Sequence, residues 1–199
     1  MKIPTVGIIG PAGSGKTTLS NHLRRQGQKV IIADEVNRQV LVKSHFTLRA
    51  LVDCFGRSIV DNSGQLHRKK IRNWLFGSPV AFKRWNQLVH PPMRDQILRQ
   101  IRIMNSRYRQ PVYVEAAVLR EMGLLTMVDQ VWCVWSSPTK RLARLRRAGW
   151  TLPSLMRIVR WQEPSQRFIA MADRVIVNEM DLPDFFVKAG QAHNKGEGR

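Results

Sequence analysis

Apolar residues along this chain gather in short unbroken runs, separated by longer stretches of helical period. Thr5-Val6-Gly7-Ile8-Ile9-Gly10, Lys29-Val30-Ile31-Ile32-Ala33-Asp34, Pro111-Val112-Tyr113-Val114-Glu115-Ala116-Ala117, Gln130-Val131-Trp132-Cys133-Val134-Trp135 and Arg174-Val175-Ile176-Val177-Asn178 are each the length of a strand. Runs that are apolar at successive positions suit strands covered on both faces, as in a parallel sheet. Thr17 to Gly27 carries Leu19 and Leu23 four apart and ends on glycine, which predicts a helix. Helical pattern then dominates to about residue 108, with breaks expected at Asp61-Asn62-Ser63-Gly64, Gly77-Ser78-Pro79 and Pro91-Pro92. Residues 138–169 read as two helical pieces broken between Gly149 and Pro153, a last helix follows Pro183, and the end from about Asn194 reads as frayed. Strands alternating with helices predict an α/β fold: a mostly parallel five-stranded sheet with helices on both faces. The helical stretch after the second strand exceeds what a crossover needs. It predicts a helical subdomain at about 37–108 within one domain spanning 1–199.

Composition narrows the setting. Of 199 residues, 43% are hydrophobic and 24% charged, a globular balance with enough apolar material for a core. Cys54 and Cys133 are too few for a disulfide scaffold and too isolated for a metal knuckle. No apolar run reaches the roughly 18 residues of a membrane span. Met1-Lys2-Ile3-Pro4-Thr5 runs straight into the first strand without a signal-peptide pattern. A cytoplasmic protein with no membrane partner is expected. Thirty-three Lys and Arg against 14 Asp and Glu give a net charge of +19. The excess is +12 over residues 1–100 and +7 over 101–199, so it belongs to the folded surface rather than to a tail. Such a field attracts polyanions (phosphorylated small molecules, RNA, acidic membranes) without choosing among them.

The chemistry begins at Gly10-Pro11-Ala12-Gly13-Ser14-Gly15-Lys16-Thr17, which fits G-x-x-x-x-G-K-[ST] with a strand before it and a helix after it. Glycines let the backbone curl until successive N–H groups point inward at phosphate oxygens. The helix beginning near Lys16 adds the positive end of its dipole. The Lys16 ammonium is suited to bridging the β- and γ-phosphates, and the Thr17 hydroxyl to ligating Mg²⁺. This motif points to ATP or GTP and says nothing of the acceptor. Asp34, read at the carboxyl end of the second strand, falls on the edge where open α/β sheets bind ligands. A carboxylate there accepts or orients an acceptor hydroxyl; the structural alternative is a helix N-cap.

Further segments stand in register behind the P-loop. They are Val30 through Asp34 and on to Glu35-Val36-Asn37-Arg38, Phe55-Gly56, Gly64-Gln65-Leu66-His67-Arg68, His90-Pro91, and Glu115-Ala116-Ala117-Val118-Leu119-Arg120-Glu121. Asp129-Gln130-Val131-Trp132, Gln162 and Ala172-Asp173-Arg174-Val175-Ile176-Val177-Asn178 complete the series. In order and spacing it resembles the dephospho-CoA kinase family over roughly residues 5–180. The resemblance implies transfer of the ATP γ-phosphate to the ribose 3′-hydroxyl of dephospho-CoA, on a P-loop kinase fold with a helical acceptor-binding subdomain and a lid at about 138–167. It implies catalytic roles for Lys16, Asp34 and Arg144, and ATP contacts from Gly10, Gly13, Ser14, Gly15, Lys16, Thr17, Thr18 and Asn178. It implies acceptor contacts from Asp34, Arg38, His90 and Arg147, with Mg²⁺ on Thr17. The chain departs from the family at Ile32-Ala33-Asp34 (usually Asp-Ala-Asp), Ala117-Val118-Leu119 (usually Pro-Leu-Leu) and Gly10-Pro11-Ala12 (usually Gly-Gly-Ile).

Lys140 to Arg147, with Arg157, Arg160 and Arg167, form a basic stretch opposed only by Glu163. A guanidinium closing over the transferred phosphoryl spreads its charge. Arg144 has the family's spacing for that role, whereas Arg141, Arg146 and Arg160 read as a solvated face. Tryptophans among arginines also suit base stacking, although Trp132 reads as core and Trp74 and Trp85 as packing residues. Two rivals therefore stand beside the kinase reading: another nucleotide or nucleoside kinase, and a basic P-loop protein bound to nucleic acid. No nucleic-acid-binding motif is legible, which disfavours the second. The sequence sets no oligomeric state.

Overall fold

The computed structural model describes residues 3–75, 77–153, 155–156 and 164–194. Two compact units emerge: Met1–Ile32 with Ile103–Arg199, and Ala33–Arg102. The first holds the sheet, with β1 (Thr5–Ile9), β2 (Lys29–Ile32), β3 (Val112–Glu115), β4 (Gln130–Trp135) and β5 (Arg174–Val177) in the order β2-β3-β1-β4-β5. Every pairing is parallel, and β1 lies at the centre with Ile8 opposite Glu115 and Ile9 opposite Cys133. Helices described in it include α1 (Lys16–Arg25), α6 (Pro138–Arg147), α7 (Ser165–Ala170) and α8 (Leu182–Asn194).

Alternation sorts the strand side chains. Val6 and Ile8, Val30 and Ile32, Tyr113, Trp132 and Val134, and Ile176 form one buried cluster with Leu19 and Leu23 of α1 and Phe185 and Ala189 of α8. On the opposite face Gly7 admits Leu119 so closely that a Cβ there would lie 2.7 Å from Leu119 Cδ1. The amino ends of two strands are fixed by carboxylates. Thr5 N donates to Asp129 Oδ2 at 2.7 Å, and Val131 N to Asp173 Oδ2 at 2.7 Å.

The second unit is helical, with α2 (Ala33–Lys43), α3 (His45–Phe55), α4 (Arg68–Leu75) and most of α5 (Pro79–Arg107). Ser44 caps α3 by accepting from Thr47 N at 3.1 Å. Two sequence expectations need correction here. The second strand stops at Ile32 and α2 begins at once, so Asp34 stands in a helical first turn rather than at a strand end. Asp34 and Glu35 both lie in that turn, where a carboxylate complements the helix dipole. The expected break at Pro91-Pro92 is also absent, since α5 runs through both prolines. Two prolines forfeit two backbone hydrogen bonds. The buried stripe Ala81, Trp85, Val89, Met93, Ile97 and Ile101 recurs every fourth residue on both sides of the pair, and its burial offsets that loss. Among the described residues, no helix is long and apolar enough to cross a membrane.

Candidate phosphate-binding site

The loop between β1 and α1 is built as its residue types demand. Gly13 and Gly15 take φ of 75° and 105°, a region that side chains resist. Space is also short: a Cβ on Gly13 would lie 2.7 Å from the Arg141 carbonyl oxygen, and one on Gly15 would collide with Asn178 Nδ2. Ser14 N donates to Pro11 O at 3.2 Å, closing the turn. Lys16 is buried, and its Nζ donates to Pro11 O at 3.1 Å, so the ammonium lies across the loop it serves. Ser14 is fully buried, and its Oγ has no hydrogen-bond partner among the described residues.

Thr17, in the first turn of α1, donates from Oγ1 to Glu115 Oε1 at 2.8 Å. Glu115 ends β3 and is 6% exposed, and its second oxygen, Oε2, is buried without a hydrogen bond among the described residues. A buried carboxylate oxygen left in this state is costly unless something positive meets it. A hydroxyl and a carboxylate side by side are the hard oxygen donors Mg²⁺ prefers, so these residues fit the ion that the P-loop implies. In the sequence, Glu115 stands only within the segment Glu115 to Glu121 shared with the family, with no site role attached. One carboxylate at the end of an apolar strand is a weak signal by itself.

Arg144 lies at the loop, and its guanidinium is committed to protein acceptors. NH1 donates to Gly13 O and Ser14 O, both at 3.3 Å, and to Ser136 Oγ at 3.0 Å; NH2 donates to Asn178 O at 2.9 Å and Oδ1 at 3.1 Å. Asn178, just past β5, returns the bond through Nδ2 to Ser14 O at 2.7 Å. Arg141 differs from the solvated residue the charge pattern suggested. Its Nε donates to Ala12 O at 2.9 Å and its NH1 to Ser165 Oγ at 3.0 Å, and burial pulls its pKa below the ordinary value. Basic periodicity describes a helix face; it does not say what that face packs on. Arg146 and Arg147 are exposed. Arg157, Arg160, Trp161, Gln162 and Glu163 lie outside the described residues.

In the helical unit, Asp34 and Arg38 are exposed one turn apart on α2, and His90 is half-buried on α5 immediately before the proline pair. Trp85 and Trp132 are buried; Trp74, 42% exposed, packs edge-on against Phe55 at 4.6 Å between ring centroids.

Residues 4–184 match the family model described as dephospho-CoA kinase. Among curated proteins, the dephospho-CoA kinase of Pasteurella multocida (strain Pm70) is 33% identical over 178 residues, 89% of this chain and 85% of that protein. The dephospho-CoA kinase of Idiomarina loihiensis is 31% identical over 192 residues, 96% of this chain and 93% of that protein. Among solved structures, TT1252 from Thermus thermophilus aligns with a TM-score of 0.78 at 25% identity, over 97% of this chain and 98% of that one. Shikimate kinase from Acinetobacter baumannii shares the fold alone, with a TM-score of 0.54 at 16% identity over 99% of this chain and 96% of that one.

Proposed function

This chain belongs to the dephospho-CoA kinase family, and from that premise we propose a division of labour among its residues. The protein is an ATP-dependent kinase that phosphorylates the ribose 3′-hydroxyl of dephospho-CoA, giving coenzyme A. Phosphoryl transfer asks little covalent chemistry of a protein. It asks for phosphates held in line and for positive charge where negative charge moves.

The P-loop amides from Gly10 to Thr18, with Gly13, Ser14 and Gly15 at the tightest curve, hold the nucleotide phosphates. Lys16 turns from Pro11 O to the β- and γ-oxygens, giving up its bond to that carbonyl. Thr17 and Glu115 would hold Mg²⁺, which neutralises phosphate charge when bound. Asn178 and Arg144 keep the loop seated against the end of β5. The five acceptors around its guanidinium favour Arg144 as a fixed cation at the loop over a finger that closes from a lid. Asp34 takes the proton of the acceptor hydroxyl, and Arg38, His90 and Arg147 meet the acceptor's anionic groups; these roles rest on the family resemblance. Cytoplasmic placement rests on the sequence alone.

The observation that best supports the ATP reading is the Thr17–Glu115 pair, with its orphaned carboxylate oxygen, at the mouth of a complete P-loop. The test measures ADP release with dephospho-CoA, nucleosides and RNA in parallel. Turnover is expected with dephospho-CoA alone. Equal turnover with a nucleoside would make the protein a nucleoside kinase, and release stimulated only by RNA would make it a nucleic-acid-dependent ATPase.

A further inference from the structure

Three side chains of α6 stand on the face turned to the phosphate loop: Arg141, Arg144 and Leu145, spaced as one helix surface. The Arg141 carbonyl and Leu145 Cγ would lie 2.7 and 3.1 Å from a Cβ on Gly13, so the helix and the loop are in close contact. Where these side chains grip is more informative than how closely. Arg141 Nε takes the carbonyl of Ala12 at 2.9 Å, while Arg144 NH1 takes those of Gly13 and Ser14. Among the described residues no peptide bond is cis. In a planar trans peptide, the carbonyl of one residue and the N–H of the next point opposite ways. Each carbonyl drawn toward α6 therefore turns the following N–H away from α6. Holding Ala12 O orients Gly13 N–H, and holding Ser14 O orients Gly15 N–H.

We propose that Arg141 is a positioning residue of the phosphate site: its fork ties the Ala12 carbonyl to Ser165 of α7 and so keeps the Gly13 amide aimed at the nucleotide phosphates. The claim rests on the P-loop being the ATP site. Geometry explains why an arginine suits the task. Nε and NH1 leave one rigid plane in different directions, and here they reach two acceptors on two different elements. A lysine carries the same charge on a single terminal atom, and no single atom reproduces that fork. Half-burial strengthens both bonds relative to a solvated arginine. Gly13, with φ of 75° and no side chain to restrict it, gains from an outside hold.

The test is calorimetric titration of the full chain with MgADP and with adenosine, for the wild type, R141Q, R141K, S165A and the R141Q/S165A double variant. Adenosine lacks the phosphates, so it reports the base and ribose contacts and overall folding. Expected for R141Q is a loss of ADP affinity of about tenfold, equivalent to about 1.4 kcal/mol, with adenosine affinity within twofold of wild type. R141K should recover less than half of that loss on a logarithmic scale. S165A should lose about threefold, and the double variant should fall no further than R141Q, because one fork serves both bonds. A merely structural role would lower adenosine and ADP affinity together and would overturn the proposal. Full rescue by lysine would also overturn it, since charge alone would then suffice. The kinase reading is tested separately, by wild-type turnover of dephospho-CoA, which the ADP titration does not require.

Discussion

Lys16 lies buried with its ammonium on the Pro11 carbonyl, so the residue proposed to meet the phosphates is tied to its own loop. Lys16→Ala should abolish phosphoryl transfer while leaving the circular dichroism spectrum native, because the moving charge loses its fixed cation. Near-normal turnover would remove the ATP site from this loop. Asp34→Asn keeps shape and removes the proton acceptor. Turnover should fall on the order of 10²–10⁴-fold, with MgADP affinity little changed. If turnover survives and only the melting temperature drops, Asp34 was serving the first turn of α2. The cysteines give an independent check on the core. Cys54 is exposed and Cys133 is buried on β4. Burial, opposed by the Lys16 charge, pushes the Cys133 thiol up to about 11 from 9.0. A thiol reagent at pH 8 should therefore titrate one cysteine quickly and the second only on unfolding. Because the folded value is the higher one, the stabilisation this thiol supplies is full below pH 9 and is lost as pH rises from about 9 to about 11.

At the scale of elements, α6 is anchored as well as packed. Glu179, just beyond Asn178, accepts from Ser137 N at 2.6 Å, from Ser136 Oγ at 2.9 Å and from Ser137 Oγ at 3.2 Å, and Lys140 bonds its backbone oxygen. Those bonds, led by the one from Ser137 N, hold the Glu179 carboxyl below its ordinary 4.5. A carboxylate with a lowered folded value stabilises fully above 4.5 and loses that effect as pH falls through the folded value. The melting-temperature gap between wild type and Glu179→Gln should thus be present at pH 7 and shrink as pH drops below 4.5; a gap constant with pH would detach the cap from the charge. In α5, Ile97 is fully buried on the stripe that carries the helix past its prolines. Ile97→Ala should cost about 2–5 kcal/mol in denaturant unfolding, as a buried aliphatic truncation does. This stripe also shows where sequence reading stopped short. The five strands and the P-loop were legible because an apolar run and a glycine turn are local signals. Pro91-Pro92 argued locally for a break, and only the burial of Trp85, Val89, Met93 and Ile97 argues for continuity. Arg141 and Glu115 escaped for the same reason: one reads as a solvated cation and the other as the end of a strand until their partners, Ala12 O and Thr17 Oγ1, are known.

For the molecule as a whole, the unexplained quantity is the net charge of +19. Only part of it is bound up in the candidate phosphate site: Lys16, Arg141 and Arg144 grip loop carbonyls, whereas Arg146 and Arg147 of α6 are exposed. Both substrates of the reaction are anions, and a positive field raises their rate of arrival without altering the chemistry that follows. At ordinary ionic strength, however, exposed charges are screened over about 8–10 Å. Two consequences separate a steering field from a nucleic-acid surface. If the charge steers small anions, kcat/KM for dephospho-CoA should fall as salt rises while kcat stays level, and Arg146→Gln should shift that curve slightly without touching kcat. If the charge serves a polyanion, homopolymeric RNA should bind with a steep salt slope, and each exposed arginine removed should lower the slope by about one. The steering outcome is expected, because both substrates are anions and no nucleic-acid-binding motif is legible in the sequence. Both are read from the same salt series, with turnover and RNA retention measured on wild type, Arg146→Gln and Arg147→Gln. RNA binding that is tight at low salt, falls steeply as salt rises and weakens equally in both variants would assign the charge to nucleic acid instead.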